Sequence, residues 1–155
     1  IIASDGMATW RSARWGLPAP WDGKPLINAR AETLTERKTF RPLLGQRCLV
    51  PATAYFEWRK DGRHRRRNRI APENGGLFAF AGLVDNDDFT IVTCAPLAKI
   101  AHIHDRMPVI LAPTAEADWL DASRPFDDVE PALVSYTAST LMAAEDTPRQ
   151  PDLFA

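Results

Sequence analysis

Short apolar segments separated by turn sequences are the feature that most constrains the fold of this chain. They lie within RCLVPATAYFEW (residues 47–58), GLFAFAGLVD (76–85), DFTIVTCAP (88–96) and MPVIL (107–111). Runs of this length, rich in aliphatic and aromatic side chains, are typical of β-strands. KDG at 60–62 and DNDD at 85–88 are turn sequences. The pattern therefore predicts a β-hairpin over residues 54–71, two further strands joined at DNDD, and a strand at MPVIL.

Short helical segments are predicted between these strands. TLTERKTFRPLL (33–44) has an N-cap candidate at Thr33 or Thr35 and predicts a short helix ending near Gly45. LAKIAHI (97–103) predicts one or two helical turns. TAEADWLDA (114–122) predicts a helix of two to three turns that begins with a capping pattern at Thr114. We therefore expect an α+β fold with a compact mixed β-barrel-like sheet and short flanking helices.

The chain has 155 residues, which suits one domain spanning residues 1–155. The proline-containing end predicts a loosely ordered tail from about residue 143. No apolar run approaches the roughly 20 residues of a membrane span. The first residues also lack the pattern of a signal peptide. Cys48 and Cys94 lie inside apolar runs and are expected to be structural thiols. These features favour a cytoplasmic protein.

Charge is unevenly distributed, although the formal net charge is only -1. RKDGRHRRRNR (59–69) contains seven Lys or Arg residues and one acidic residue, whereas nine acidic residues and two arginines lie from residue 114 onward. A basic block this dense is typical of a surface that binds polyanions such as nucleic acid. An equally good interpretation is a solvated hairpin tip, and the composition does not separate the two.

Polar residues occur at positions that folding alone does not require. Asn28, Arg30 and Glu32 alternate in NARAET, which places them on one face of an extended segment, although a surface strand would look the same. Glu57 lies between two aromatic residues, where desolvation raises a carboxyl pKa, or it is simply an exposed glutamate on a hairpin edge. His104 in IHDR is a candidate acid–base group, although a single histidine is more often structural.

Several classes of site are disfavoured by the motifs that the sequence lacks. It has no Cys-x-x-Cys pair, and His102 with His104 does not complete a metal-ligand set. It has neither a Walker-type phosphate loop nor a Gly-x-Ser-x-Gly elbow. We therefore expect no metal and no cofactor. The tryptophans of WGLPAPW, Trp15 and Trp21, are either stacking platforms for unstacked bases or core residues.

Six motifs taken in order are more specific than any one of them. RWGLPAPW, NARAET, RCLVPATAYFEW, FAGLV, TIVTCA and IHDRMPVIL, spanning Arg14 to Leu111, resemble the SRAP family of SOS-response-associated peptidase domains. Members of this family process abasic sites in single-stranded DNA. The resemblance implies a mixed barrel-like sheet with a positively charged groove for that DNA. It also implies that an N-terminal cysteine attacks the open-chain aldehyde of the abasic sugar and closes to a thiazolidine crosslink.

The same resemblance assigns roles to individual residues. Asn28, Glu57 and His104 match the catalytic positions of the family, with Glu57 and His104 as proton-transfer groups. The positions implied to bind DNA are those of the phosphate-contacting cations and the residues that line the same site: Arg30, Lys38, Arg106, Trp21, Trp58 and Thr93. The implied partner is single-stranded DNA containing abasic sites. We expect a bacterial protein that is monomeric, does not bind a membrane, and associates with the nucleoid when it acts.

The family's Met-Cys start is not found in this sequence, in which 27 residues precede Asn28. We therefore expect an N-terminally truncated chain or a paralogue without the nucleophile, unable by itself to form the thiazolidine. The alternative function is a non-catalytic module that binds single-stranded nucleic acid. A peptidase acting on other proteins is disfavoured, because in this family the proteolysis concerns removal of the protein's own leading residue.

Overall fold

The computed structural model describes residues 1–4, 8–19, 23–136 and 140–146. Within these ranges the chain forms eleven strands and two short α-helices. The strands in chain order are β1 Ile2–Ser4, β2 Ala8–Trp10, β3 Arg14–Trp15, β4 Asn28–Arg30, β5 Arg47–Ala52, β6 Tyr55–Asp61, β7 His64–Pro72, β8 Phe78–Asp85, β9 Asp88–Cys94, β10 Met107–Pro108 and β11 Leu141–Glu145. The helices are α1 Pro113–Leu120 and α2 Phe126–Val129. None of the described helices has the length and apolar character needed to cross a membrane.

Eight of these strands form a mixed sheet, as the sequence predicts. Its main path runs β10-β9-β8-β5-β1-β2 with antiparallel neighbours, while β3 and β4 pair in parallel with β9. The sheet does not close on itself, so the barrel-like description is a loose one. The α+β class with short helices is confirmed. The sheet is mixed because β3 and β4 run parallel to β9 and pair with the edge of β9 that faces away from β8.

The second sheet has three strands in the order β11-β7-β6, and it contains the hairpin predicted over residues 54–71. The turn between β6 and β7 contains Gly62, whose φ of 59° lies in the left-handed region that glycine favours. β5 and β6 are separated only by residues 53–54, yet they belong to different sheets. The chain therefore leaves one sheet and enters the other within two residues, and this break forms a corner beside the site described below.

The short helix predicted over residues 33–44 forms only in part, as a 3₁₀ helix near its end. Residues 33–44 form hydrogen-bonded turns and a 3₁₀ helix, Arg41–Leu43, rather than one α-helix. The buried residues Leu34 and Phe40 are six positions apart, which places them on different sides of an α-helix but allows both to reach the core from successive turns. Pro42 also lacks the N–H that an α-helix interior needs.

Helix α1 confirms the helix predicted after residue 113, but its start differs from the expected capping pattern. Ala112 is the N-cap and Pro113 is the first helical residue, so Thr114 lies inside the helix and does not cap it. Proline suits this first position because its fixed φ is already helical and its missing N–H has no intrahelical partner. The 97–103 segment forms hydrogen-bonded turns, in which the N–H groups of Ile100 and Ala101 both donate to the carbonyl of Leu97, in agreement with the one or two helical turns predicted there.

Strand β11 includes residues 143–145, which the composition predicted to belong to a loosely ordered tail. Its backbone pairs antiparallel with β7 from Leu141 opposite Pro72 to Glu145 opposite Asn68. A strand without β-branched residues forms here because β7 offers it an unpaired backbone edge. The rest of the expected tail, residues 147–155, lies outside the described residues.

Arg47 is a buried cation whose guanidinium donates hydrogen bonds to four backbone carbonyls. Only 4% of the residue is exposed, and its guanidinium donates to the carbonyl oxygens of Trp119 (2.6 Å), Leu44 (2.7 Å), Arg124 (3.1 Å) and Asp121. Burial lowers the pKa of Arg47, and a neighbouring carboxylate opposes that shift. One side chain thus joins the start of β5 to the last turn of α1 and the loop beyond it.

Replacing Arg47 with alanine should lower the free energy of unfolding by about 3 kcal/mol or more, because it leaves several buried carbonyl oxygens without donors. The urea midpoint of the variant and of the wild type, compared at equal m-value, measures this. The control is Arg41→Ala at an exposed position on the 3₁₀ helix, which should change stability by less than about 0.5 kcal/mol. Equal losses in the two variants would contradict the proposed role of the Arg47 network.

Candidate active site

A cavity lined by polar and aromatic side chains lies where the corner between β5 and β6 faces β9. It encloses about 580 Å³. Seven of the nine predicted site residues line it: Asn28, Arg30, Glu57, Trp58, Thr93, His104 and Arg106. Lys38 is exposed in a turn and does not line the cavity, and Trp21 lies outside the described residues. The apolar part of the wall includes Trp15, Val50, Ala54, Tyr55, Phe56, Phe80, Phe89, Ile91, Met107 and Pro108.

Strand β9 brings these residues together because both of its edges are occupied. Thr93 is paired with Arg30 of β4 and also with Pro108 of β10, and one residue can have only one partner at each edge. β4 and β10 therefore lie on opposite sides of β9. Asn28 and Arg30 reach the cavity from one side, and the segment before Met107 reaches it from the other.

The NARAET segment behaves as its alternation predicts up to Arg30. Asn28 and Arg30 are exposed, whereas Ala29 between them is fully buried against the core. The extended backbone ends at Arg30, and a 3₁₀ helix, Ala31–Thr33, follows. Glu32 is therefore carried by a turn and not by the strand, but it still lies on the exposed side. The small Ala29 lets β4 pack closely on β9.

Glu57 is held in a half-buried position on β6, in the wall of the cavity. Burial raises the pKa of its carboxyl, and the nearby negative charge of Asp105 raises it further. The positive charge of His104 and a backbone hydrogen bond at Trp58 oppose this rise. Of the two interpretations of Glu57, a desolvated carboxyl therefore describes its surroundings better than an exposed glutamate on a hairpin edge does. A carboxyl with a raised pKa is suited to donating a proton near neutral pH.

His104 is held by hydrogen bonds of its own loop. Its Nδ1 lies 3.0 Å from the backbone nitrogen of Arg106, whose N–H donates to it in the tautomer that leaves Nδ1 unprotonated. The same Nδ1 lies 3.2 Å from Asp105 Oδ1 and 3.2 Å from the backbone oxygen of Arg106. The loop thus offers Nδ1 both a donor and an acceptor, so the backbone of Arg106 holds the ring in either tautomer.

Arg106 is bound by Glu32, a contact that the sequence did not predict. Its guanidinium donates to both carboxylate oxygens of Glu32, at 2.8 and 2.7 Å, and to the backbone oxygen of Thr93 at 2.6 Å. The hydrogen bond from Arg106 lowers the pKa of Glu32. This fork joins the turn after β4, strand β9 and the His104 loop. Arg106 therefore positions the site, and its expected contact with phosphate stays a prediction.

Trp15 is placed in the cavity wall by the first part of the WGLPAPW motif. Arg14 binds Asp88 through both carboxylate oxygens, at 2.7 and 3.1 Å, and holds β3 against β9. The Trp15 indole N–H donates to the carbonyl of Ile27 at 2.7 Å. Gly16 follows with φ of 121°, and a Cβ there would lie 2.5 Å from Pro25. Only glycine allows this turn, which keeps the Trp15 ring half exposed beside Asn28.

Tyr55 is a cavity residue that the sequence analysis missed. It is 9% exposed, and its hydroxyl has no hydrogen-bond partner among the described residues. Burial raises its pKa, and the nearby charge of Glu57 adds to that effect, so the hydroxyl remains a donor at neutral pH. The aromatic run YFEW gave no local sign that its first ring would point inward. The alternation along β6 decides this once Tyr55 is known to pair with Ile70.

The described residues of the cavity wall include proton donors, acceptors and cations but neither a thiol nor an amine. Neither Cys nor Lys occurs among the described residues that line it. Cys48 and Cys94 are both buried, and burial raises the pKa of the Cys48 thiol to about 12. Among the described residues, no group of three or more His, Cys, Asp or Glu side chains could hold a metal ion. The arrangement suits acid–base chemistry on a bound molecule.

Comparison with known proteins gives a consistent set of relatives. The model of the family described as SOS response associated peptidase (SRAP) matches residues 1–147. The abasic site processing protein YoaM of Bacillus subtilis is 40% identical over 147 residues, which cover 84% of this chain and 65% of that protein. YedK of Escherichia coli, also named an abasic site processing protein, is 35% identical over 116 residues, 68% of this chain and 52% of YedK. The chain thus spans less than two thirds of the length of these relatives.

Solved structures agree with this grouping. A protein from Bordetella bronchiseptica superposes with a TM-score of 0.76 at 28% identity, covering 87% of this chain and 76% of that one. A protein from Bacteroides thetaiotaomicron superposes with a TM-score of 0.72, also at 28% identity, covering 88% of this chain and 72% of that one. The fold is therefore shared with proteins whose sequences differ at most positions.

Replacing Glu57 with glutamine should stabilise the fold at pH 7. A carboxyl whose pKa is raised by folding binds its proton more tightly in the folded state, so stability falls as pH rises above the unfolded value of about 4.3. The neutral Glu57→Gln side chain removes this penalty, and its advantage over the wild type should shrink as pH falls towards 4.3. Urea unfolding of both proteins across this pH range measures the difference.

Glu36→Gln, at an exposed position, is the matched control and should change the unfolding free energy by less than about 0.5 kcal/mol at any pH in that range. A Glu57→Gln protein that is less stable than the wild type at pH 7 would contradict the interpretation that burial disfavours the charged form of Glu57.

Proposed function

Because the chain belongs to the SRAP family, we propose that it processes abasic sites in single-stranded DNA, with the cavity on β9 as its active site. The observation that carries this proposal is the meeting of Asn28, Glu57 and His104 in one cavity, together with the cation Arg30. Relatives named abasic site processing proteins support the same substrate. No described residue forms a hydrogen bond or ion pair with the Arg30 guanidinium, which leaves it available to a phosphate.

The shape and lining of the cavity suit an abasic nucleotide better than an intact one held in a duplex. A sugar without a base can turn out of the strand and place its C1′ aldehyde among the polar groups. The aromatic side chains Trp15, Phe56 and Trp58 line the same opening and are 53%, 41% and 46% exposed. Exposed rings of this kind stack on the neighbouring bases of a single strand. Cationic contacts to phosphate make such binding depend on salt.

The proposed chemistry is condensation of an amine and a thiol with the C1′ aldehyde. The neutral amine adds to the aldehyde carbon, and a proton passes from the nitrogen to the oxygen to give a carbinolamine. The Glu57 carboxyl then protonates the carbinolamine hydroxyl, which leaves as water, and an iminium ion remains. The thiol adds to the iminium carbon and gives its proton to the Glu57 carboxylate, which closes the neutral thiazolidine and restores the carboxyl. His104 is placed to exchange protons with the sugar oxygens during ring opening, and Asn28 to hold the amine or those oxygens by hydrogen bonds.

The amine and thiol must come from outside the described wall, because that wall contains neither group. In the family this role belongs to an N-terminal cysteine, and we propose the same nucleophile for the whole protein. The self-directed peptidase activity in the family's name then corresponds to exposure of that cysteine. Single-strand preference, a monomeric state, nucleoid association during action and phosphate contacts from Lys38 and Arg106 belong to the same proposal.

A second candidate function is a binding module for single-stranded nucleic acid without chemistry. The lack of a nucleophile among the described wall residues is the observation that favours it. The two functions differ in what Glu57 and His104 do. In a binding module these residues matter no more than other polar residues of the groove, whereas in the enzyme they move protons.

Supplying the nucleophile as free L-cysteine tests the chemistry independently of the chain's own N-terminus. The protein should accelerate thiazolidine formation between free cysteine and an abasic single-stranded oligonucleotide, monitored by mass spectrometry. Glu57→Gln and His104→Ala should each lower this acceleration by about 100-fold, the usual contribution of a general acid or base. Both should bind the oligonucleotide with nearly unchanged affinity, measured by fluorescence anisotropy.

The control is His102→Ala, two residues away in the same loop, exposed and absent from the wall of this cavity. It should leave both acceleration and binding unchanged. Binding of single-stranded DNA without any acceleration by the wild type would favour the binding module. Absence of binding to either abasic or undamaged single strands would overturn both functions.

A further inference from the structure

The β6–β7 hairpin has an outer face that combines aromatic rings on β6 with cations on both strands. Its register places three pairs of residues on one side of the two strands: Phe56 opposite Arg69, Trp58 opposite Arg67, and Lys60 opposite Arg65. We name these six residues the outer hairpin face. The residues that alternate with them along both strands point the other way, and of these Tyr55, Asn68 and Ile70 are buried. All six residues of the outer hairpin face are exposed.

Only part of the positive charge on the hairpin is neutralised within the described residues. Three of the seven cations in residues 59–69 are paired with carboxylates, and the contacts are Arg59–Glu145 at 3.5 Å, Arg66–Asp61 at 3.0 Å, Arg66–Glu145 at 3.1 Å and Arg67–Asp146 at 2.5 Å. Lys60, Arg63, Arg65 and Arg69 have no carboxylate partner in the part of the chain that the structure describes.

The arrangement of these cations is costly for the folded protein alone. Lys60 lies directly opposite Arg65, and like charges at directly opposed positions of a sheet destabilise the pair. Solvation of a hairpin tip does not require this juxtaposition, since cations alternating with carboxylates would be equally soluble. A bound polyanion removes the repulsion and gains from the same charges.

The outer hairpin face is continuous with the cavity. Phe56 and Trp58 belong to that face and also line the cavity opening. β6 is the edge strand of its sheet, so no described strand lies beside it on the side that faces away from β7. The Arg67 guanidinium lies over the Phe56 ring at 5.0 Å, whereas no such cation covers Trp58 among the described residues. A strand leaving the cavity therefore meets an open indole ring and then unpaired cations.

We propose that the outer hairpin face binds the stretch of single-stranded DNA that flanks the abasic nucleotide, so that the basic block extends the binding track beyond the cavity. Trp58 stacks on a neighbouring base, and Lys60, Arg65 and Arg69 contact the phosphates that follow. The four residue steps from Phe56 to Lys60 extend the track by about 13 Å. This inference rests on the proposed function and identifies where the rest of its substrate lies.

Oligonucleotide length separates binding by the cavity from binding by the hairpin. A short oligonucleotide of about 4 nucleotides around a stable abasic analogue fills the cavity, and a long one of about 20 also covers the outer hairpin face. Arg65→Ala/Arg69→Ala should weaken binding of the long oligonucleotide about tenfold at low salt and leave the short one within about twofold. The salt slope for the long oligonucleotide should fall by about 1.4, from about 0.7 for each lost phosphate contact.

Two further variants serve as controls. Arg41→Ala/Lys99→Ala removes the same number of charges from exposed positions outside the hairpin and should leave both affinities and both salt slopes unchanged. Arg65→Lys/Arg69→Lys conserves the charges and should retain the length dependence and the salt slope. Circular dichroism and thermal unfolding of each variant confirm that the hairpin remains folded.

The outcomes distinguish this inference from the proposed function. Preferential binding of the abasic single strand by the wild type, with no selective loss on the long oligonucleotide in Arg65→Ala/Arg69→Ala, overturns the hairpin inference and leaves the proposed function intact. Equal losses on the short and long oligonucleotides also overturn it, because the hairpin would then act on the cavity. Tighter binding of duplex than of single strand to the hairpin, removed by the same variant, assigns the face to another ligand. A wild type that binds no single strand overturns both.

Discussion

Occupation of both edges of β9 is the constraint on which the site depends. Its last residues are paired with β4 on one edge and with β10 on the other, so the segments that contain Asn28 and His104 are held at fixed positions on either side of Thr93. The chain that follows β10 continues between β8 and β9, since Val109 donates to Val92 and accepts from Ala81. The inserted segment separates the start of β8 from the end of β9, two strands that would otherwise pair along their whole length. The cavity lies beside the gap between them.

Two charged side chains, Arg47 and Glu57, differ in whether their surroundings stabilise the charge. Arg47 is buried, but every carbonyl oxygen around its guanidinium accepts a hydrogen bond, so the charge joins β5 to the end of α1. Glu57 is only half buried, yet its surroundings disfavour its charge. A desolvated carboxyl destabilises the fold at neutral pH and is useful when a proton has to be donated. The Arg106–Glu32 fork lies between these cases, because it positions the His104 loop while remaining partly exposed.

The elements that the sequence predicted correctly are those in which the pattern and the turn chemistry are local. The β6–β7 hairpin and the β8–β9 pair follow from the turn sequences KDG and DNDD, each of which lies between two strand-like segments. β1, β2 and β11 were not predicted, since strands of three to five residues show too little periodicity and exist because a neighbour offers an unpaired edge. The α-helix expected over residues 33–44 does not form, because its apolar residues lie in separate turns that each contact the core.

Local sequence by itself determined the alternation of faces along the strands. It placed Asn28 and Arg30 opposite Ala29, and it marked the six motifs from which the family was inferred. Which strands are neighbours was decided only in the tertiary structure. Glu32 and Arg106 are 74 positions apart, and no local pattern shows that they form a bidentate pair. The physical reason is that alternation sets which face a side chain occupies, whereas pairing depends on backbone hydrogen bonds between distant segments, which form only when the whole sheet assembles.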